Sequence, residues 1–240
     1  MIRSDGDERD QPREMATMFD RVAPRYDFLN RVLSLGRDIG WRRRAVALAR
    51  LGANEIALDI GVGTGDLAFD LLAASPPSSR VVGIDVSERM LELARARAAS
   101  RALGLRFEAR AADAHALPFA DASFDRVVAG FAVRNLGHLD VGLREMRRVL
   151  RAGGRAVILE FSHPPSRLIR PLYRLYLRQV TPRMAALLGG DVDAYRYLPR
   201  SIDAFPDADA LAERIRAAGF TKVRFERLMF GATAIHVAEP

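Results

Sequence analysis

The sequence predicts an α/β fold: a mostly parallel sheet with an antiparallel C-terminal strand and a helical lid insertion. Three observations point there. Short apolar runs alternate with amphipathic helical patterns along most of the chain, three glycines (Gly61, Gly63, Gly65) punctuate the first strand-to-helix junction, and the chain ends on two apolar runs joined by a short turn. Alternating strands and helices imply right-handed crossovers and a sheet covered on both faces.

The first strand is read at 56–61 (IALDIG), and "EIALDIGVGTGDLAFDLL" carries it through the glycines into a helix at 65–74. Strands follow at 81–86 (VVGIDV), 106–109, 125–131 (DRVVAGF) and 155–161 (RAVILEF), with helices at 88–102 and 140–150, the latter expected to stop at Gly153-Gly154. "AGFTKVRFERLMFGATAIHVAEP" supplies strands at about 222–230 and 233–238, turning at Gly231. Such a hairpin places one antiparallel strand in the sheet. Segment 163–206 breaks the rhythm, being too long for a connection and holding a helix of its own, and is read as a lid over the sheet. Residues 1–14 are read as a flexible tail and 15–240 as one domain, with 15–50 as N-terminal cap helices.

Composition narrows the function classes. Hydrophobic content of 49% and charged content of 28% in 240 residues are ordinary for a globular protein. No run approaches the roughly 18 apolar residues of a membrane span, and the mixed-charge N-terminus lacks a signal peptide's apolar stretch. A cytoplasmic protein is expected. The absence of cysteine excludes disulfides, thiolate metal sites and a cysteine nucleophile. His115, His138, His163 and His236 are scattered without metal-binding spacing, so no metal is expected. The net charge of +7 is almost wholly arginine, since Lys222 is the only lysine. That balance suits nucleic acid or an anionic membrane surface, or reflects arginine-biased composition on solvated helix faces.

The glycine turn suggests a nucleotide-like ligand lying against the backbone. A dinucleotide site has Gly-x-Gly-x-x-Gly; here Gly61, Gly63 and Gly65 alternate and Asp66 follows, an acid where a pyrophosphate would arrive. There is no Gly-Lys-Ser/Thr, so the P-loop reading fails. Asp85 ends the second strand, where its carboxylate can accept two hydrogen bonds from a ribose diol; the bland alternative is a tight turn with a helix-capping acid. Asp113 follows the third strand, where its carboxylate can accept from an adenine amine while the Ala114 backbone N–H meets a ring nitrogen.

Five stretches in order, "MFDRVAPRYDFLNRVLSLGRDIGWRR", "GVGTGDLA", "GFAVRNLGH", "RVLRAGGRAVILEFSHP" and "DVDAYRYLPRSIDAFPD", resemble the ubiquinone/menaquinone biosynthesis C-methyltransferase family, a branch of the class I S-adenosylmethionine-dependent methyltransferases. The resemblance runs from about residue 15 to the end of the chain. It implies a Rossmann-like seven-stranded sheet, S-adenosyl-L-methionine as cofactor, and C-methylation of a prenylated quinol ring. Demethylmenaquinol is preferred as substrate, with the methoxy-polyprenyl-benzoquinol step beside it. Carried over by position, the cofactor residues are Gly61, Gly63, Thr64, Gly65, Asp85, Asp113 and Ala114. Gly130 stands where the family often has serine, so it can offer only a backbone contact.

A sulfonium methyl is already activated, and alignment of reactants can contribute about 7–11 kcal/mol. The remaining obstacle is the phenolic hydroxyl, with a pKa near ~10; an adjacent cation can lower such a value by roughly 1–3 units. "VRNLGH" offers the candidates. Arg134 stabilises a quinolate or polarises a water, or else forms an ordinary ion pair. Asn135 orients the ring. His138 is a base or a solvated helix-start residue. Tyr26 and Asp27 fold over the cofactor or pack a helix, and Tyr195 and Tyr197 of "YRYLPRS" close over the ring. Arg167, Arg170, Arg174 and Arg178 recur beside Ile169, Tyr173, Tyr176 and Val180. A basic stripe next to an aromatic-apolar one suits an anionic membrane surface; the alternative is a helix packed on the sheet with solvated arginines. No nucleic-acid partner is expected. The chain has no Asn/Asp-Pro-Pro-aromatic motif after the fourth strand and no cysteine for pyrimidine C5 chemistry. Another small-molecule C- or O-methyltransferase would share the cofactor site and differ in the lid.

Overall fold

Strands β1 (Ile56–Ile60), β2 (Arg80–Asp85), β3 (Phe107–Ala111), β4 (Phe124–Gly130), β5 (Leu150–Phe161), β6 (Lys222–Leu228) and β7 (Thr233–Glu239) form one sheet in the order β3-β2-β1-β4-β5-β7-β6. Strands β1 to β5 pair in parallel, and β7 runs antiparallel to both its neighbours, β5 and β6. The expected mostly parallel sheet with an antiparallel C-terminal strand is therefore present. The computed structural model describes residues 15–23, 26–188 and 192–240, and the side chains of Tyr26, Ala185 and residues 192–196 lie outside that description. The expected tail at 1–14 falls outside it too.

Side chains alternate along each strand, and two hydrophobic cores result. Ala57, Val81, Val128, Val157, Leu159 and Val237 face one side, where α3 (Arg37–Ala49), α4 (Asp66–Ala73) and α5 (Glu88–Ser100) cover them. Leu58, Ile60, Ile84, Val127, Ala129 and Ile158 face the other, under α6 (Leu139–Val149) and α10 (Ala208–Ala217). Helix α4 buries Leu67, Phe69, Leu71 and Leu72 on the first side; full burial of each such side chain stabilises the fold by about 1.5–3 kcal/mol. Helix α5 starts where the Ser87 hydroxyl accepts from the Met90 amide at 3.1 Å, a regular N-cap.

Two expectations change at element ends. The sixth helix does not run to Gly153-Gly154; it hands over directly to β5 at Leu150. Leu150 pairs with Phe124 and Arg155 with Arg126, so the start of β5 is bulged, and Gly153 takes φ 76° within it. The lid segment holds more than one helix: α7 (Ile169–Leu175), a π-helical turn at Tyr176–Val180, α8 (Thr181–Leu187) and α9 (Val192–Ala204). Helices α1 (residues 15–22) and α2 (Tyr26–Leu33) lie with the lid over one end of the sheet, whereas α3 packs into the core through Ala45, Val46, Leu48 and Ala49.

Candidate active site

A cavity of about 500 Å³ opens at the carboxyl ends of β1, β2 and β4. Neighbouring strands β1 and β4 are where the strand order reverses, the place where open α/β sheets bind ligands. The size is that of an ordinary small-molecule site.

The floor is the glycine turn. The Val62 amide donates to the Ile84 carbonyl and the Gly65 amide to the Val62 carbonyl, both at 2.9 Å. Gly61 has φ 66°, and a Cβ there would sit 2.4 Å from that of Ala132. Gly65 has φ 93°, and its Cβ would strike the Phe69 ring at 2.5 Å. Both positions therefore require glycine. Gly63 faces open space, and its amide donates to Asp85 Oδ2 at 2.9 Å. Asp85 Oδ1 accepts from the Ser87 amide at 3.0 Å. Burial raises the Asp85 pKa, and these backbone amides oppose the rise. Beyond its bonds to the Gly63 and Ser87 amides, the carboxylate keeps acceptor capacity toward the cavity.

Thr64 is buried, and its hydroxyl donates to Asp27 Oδ1 at 2.7 Å. Arg97 binds Asp27, the Thr64 carbonyl and Asp66, the last at 2.5 Å. Arg42 meets Asp66 at 3.1 Å from the other side. Burial pushes the Asp66 pKa up, but Arg42 and Arg97 outweigh it and hold the carboxyl below its ordinary value. Asp66 thus ties α4 to α3 and α5. Asp113 Oδ1 contacts His115 Nδ1 at 2.6 Å and accepts the His115 amide at 2.9 Å. The His138 amide donates to His115 Nε2 at 3.2 Å, which makes Nδ1 the protonated nitrogen. Ala114 is buried on the same wall, and Gly130 lines the floor with Leu67 against it.

The opposite end is aromatic and apolar. Phe131 stacks between Trp41 (6.1 Å) and Phe161 (4.7 Å) with φ 58°, a costly conformation for a bulky residue that clusters at functional sites. Arg134 lines this chamber with its guanidinium 5.2 Å from the centre of the Phe161 ring. It is 7% exposed and pairs at 2.9 Å with Glu160, which is 1% exposed. Glu160 also accepts from the backbone amides of Arg134 (3.2 Å) and Phe161 (2.8 Å). The cation is matched by a buried anion. Asn135 Oδ1 accepts from the Tyr197 hydroxyl at 3.3 Å, which also reaches Met15 Sδ at 3.4 Å. Burial raises the Tyr197 pKa, so the phenol stays a donor. His138 is exposed at the rim, its ring 5.9 Å from that of His115. The side chains of Tyr26 and Tyr195 lie outside the described residues.

The lid helix departs from the expected stripes. Tyr173 and Tyr176 point into the cavity: the Tyr173 hydroxyl reaches the Ala232 carbonyl at 3.3 Å and that of Tyr176 the Leu33 carbonyl at 2.7 Å. Arg174 and Arg178 share Asp203, at 3.5 and 2.5 Å. His163 Nε2 lies 2.9 Å from the Phe205 carbonyl, in a turn.

Three site residues escape the sequence reading. Asp59 lies on the cavity wall, 1% exposed, and neither carboxylate oxygen forms a regular hydrogen bond. Burial and the nearby Asp85 push its pKa well up, with weak relief from the Ala68 amide. Asp59 and Glu160 share one signal, an acid inside an otherwise apolar strand (IALDI, RAVILEF). His115 had none, because the contact that fixes it in the site, from the His138 amide, comes from 23 residues away.

The comparisons with known proteins agree with this architecture. The model of the ubiE/COQ5 methyltransferase family matches residues 6–239. The demethylmenaquinone methyltransferase of Thermus thermophilus is 48% identical over 92% of this chain and 99% of its own length. The ubiquinone/menaquinone biosynthesis C-methyltransferase UbiE of Geotalea uraniireducens is 41% identical over 92% and 94%. Among solved structures, the [4+2]-cyclase SpnF superposes with a TM-score of 0.72 at 20% identity, covering 95% of this chain and 96% of its own. At that identity the likeness concerns the fold, which does not decide chemistry.

Proposed function

The chain belongs to the ubiE/COQ5 methyltransferase family, and from that premise we propose that it transfers a methyl group from S-adenosyl-L-methionine to a ring carbon of a prenylated quinol, demethylmenaquinol first. The observation that carries the reading is the division of one cavity into a polar, backbone-lined end and an aromatic end with Arg134, Asn135 and Tyr197. The relatives' names supply the quinone.

The polar end fits a cationic nucleoside. Asp59 is a buried carboxyl group whose oxygens lack regular hydrogen-bond partners, an acceptor suited to a ligand's donor groups. Asp85 has acceptor capacity for a ribose diol, and Asp113, oriented by His115, presents its second oxygen beside the Ala114 amide for an adenine edge. Gly61, Gly63 and Gly65 let Thr64 and the backbone approach closely, and Gly130 offers a backbone contact. When bound, S-adenosyl-L-methionine supplies an electrophilic methyl on sulfonium.

At the aromatic end the chain positions the ring and handles its proton. Phe131, Phe161 and Trp41 form the walls. Because Tyr197 donates to Asn135 Oδ1, the Asn135 amide nitrogen is left to donate to a quinol oxygen. Arg134, neutralised by Glu160, acts as a fixed hydrogen-bond donor and dipole more than as a bare charge, so its help to quinolate formation falls at the low end of the roughly 1–3 units an unpaired cation gives. His138 is the one acid–base group of the three and meets solvent at the rim. We assign it proton removal through water.

The test is direct. Purified protein, S-adenosyl-L-methionine and a short-tailed demethylmenaquinol should yield the ring-methylated product by mass spectrometry. The methoxy-benzoquinol analogue serves as the second substrate, because the Geotalea relative is named for both quinones. No product from either quinol, with cofactor binding confirmed by calorimetry, would sink the quinol assignment.

A further inference from the structure

We infer that the outer face of α7, together with the end of α8 and the β6–β7 turn, is a membrane-docking surface that inserts leucines among anionic lipid headgroups. The inference rests on the quinol reading above and deepens it. Helix α7 with its two flanking residues is two-sided: Tyr173 and Tyr176 close the cavity, while Leu168, Leu172 and Leu175 point out, 85, 68 and 58% exposed. Their spacing of four and three residues puts them on one helix face. The 229–231 turn packs on Pro164-Pro165, just before this helix, and presents Phe230, 76% exposed. Leu187, at the end of α8, is 87% exposed.

Single exposed leucines need no explanation, but a cluster beside a cavity does. Its charge identifies the occupant. Residues 163–190 contain five arginines (Arg167, Arg170, Arg174, Arg178, Arg183) and no Asp or Glu. Asp203 takes up part of the charge of Arg174 and Arg178; among the described residues Arg167, Arg170 and Arg183 have no carboxylate within ion-pair distance. A basic rim around an apolar patch matches an anionic bilayer, where headgroups meet the arginines and acyl chains meet the leucines. The geometry also serves the substrate. The helix that touches lipid outside lines the ring chamber inside, so a prenylated quinol travels across one helix width.

The experiment uses the full chain and vesicles of phosphatidylcholine with or without phosphatidylglycerol. Wild type should sediment with anionic vesicles, and Leu168→Ser/Leu172→Ser/Leu175→Ser should weaken partitioning roughly tenfold or more. Arg167→Gln/Arg170→Gln should weaken it less and reduce its salt dependence. Both variants should keep wild-type melting, cofactor binding and turnover of a water-soluble quinol analogue, and lose turnover of a long-tailed quinol in vesicles. Absence of wild-type binding overturns the inference, as does equal binding by the leucine variant. A wild-type dimer that the leucine variant dissociates, without vesicle binding, would assign the face to a second copy and overturn it too. Failure to methylate the soluble analogue counts against the quinol reading alone, since vesicle binding is scored separately.

Discussion

The two ends of the cavity are built by different means. At the proposed nucleoside end, Asp85, Gly61, Gly63 and Gly65 lie within 25 residues of one another, and most of the bonds that place them run to backbone amides. At the proposed quinol end, Arg134, Glu160, Tyr173 and Tyr197 come from separate elements and are placed by bonds of their own side chains, to one another and to backbone distant in the chain. A site made of backbone tolerates variation in the side chains around it. A site made of side chains depends on each partner, so single substitutions there should carry over into stability.

The largest effect should follow from breaking the buried ion pair. Arg134→Gln strands Glu160 in the interior, and breaking such a pair costs about 3–5 kcal/mol. We expect a clear fall in melting temperature along with lost methyl transfer. Arg134→Leu combined with Glu160→Leu should regain most of the stability and none of the activity. If Arg134→Gln melts like wild type, the pair is not the structural element described here.

Asp85→Ala tests the other end. Losing a charge-assisted carboxylate contact should weaken S-adenosyl-L-methionine binding by about 1.5–3 kcal/mol, tenfold or more by calorimetry. Stability should change little, because the amides of Gly63 and Ser87 can turn to water. Unchanged affinity would contradict the ribose assignment.

This contrast also explains what was legible in the sequence. The placing of the glycine turn, Asp85 and Asp113 at the cavity was legible, because each lies at a strand end next to its neighbours in the chain. The seven strands read out through their apolar alternation, apart from the early start of β5, where Leu150 leaves the helix to pair with Phe124. The Arg134–Glu160 pair did not, since nothing local says that residues 26 positions apart will meet in the interior. Which way the faces of α7 turn is not legible in the sequence for a related reason. Tyrosines and leucines both count as apolar in a periodic pattern, and only the tertiary partners Leu33 and Ala232 draw the tyrosines inward.

A smaller effect concerns Asp59. Its folded pKa is raised above the ordinary 3.8, so the unfolded chain releases this proton at lower pH than the native one. Stability is therefore greatest below that ordinary value and declines as pH rises toward the raised one. Asp59→Asn should relieve that penalty at neutral pH, seen as a higher melting temperature, and the gain should vanish in acid. The same variant should bind the cofactor more weakly. Equal melting at both pH values would show that the carboxyl is not the buried acid described.

The smallest effect is expected for Tyr197→Phe. The bond to Asn135 is 3.3 Å long, so its loss should cost about 0.5–1 kcal/mol. That predicts a few-fold drop in kcat/KM for the quinol at constant cofactor affinity. An equal drop in cofactor affinity would mean that the two ends are not separable.

The hydroxyl of Tyr176 fastens the lid insertion to the Leu33 carbonyl at the end of α2. One bond thus joins two parts of the cavity roof that lie far apart in the chain. With the two parts joined, the spent nucleoside and the methylated quinol of the proposed reaction are expected to share one opening rate. Stopped-flow release of the two should then follow one relaxation, and slowing that motion with viscogen should slow both departures in equal proportion.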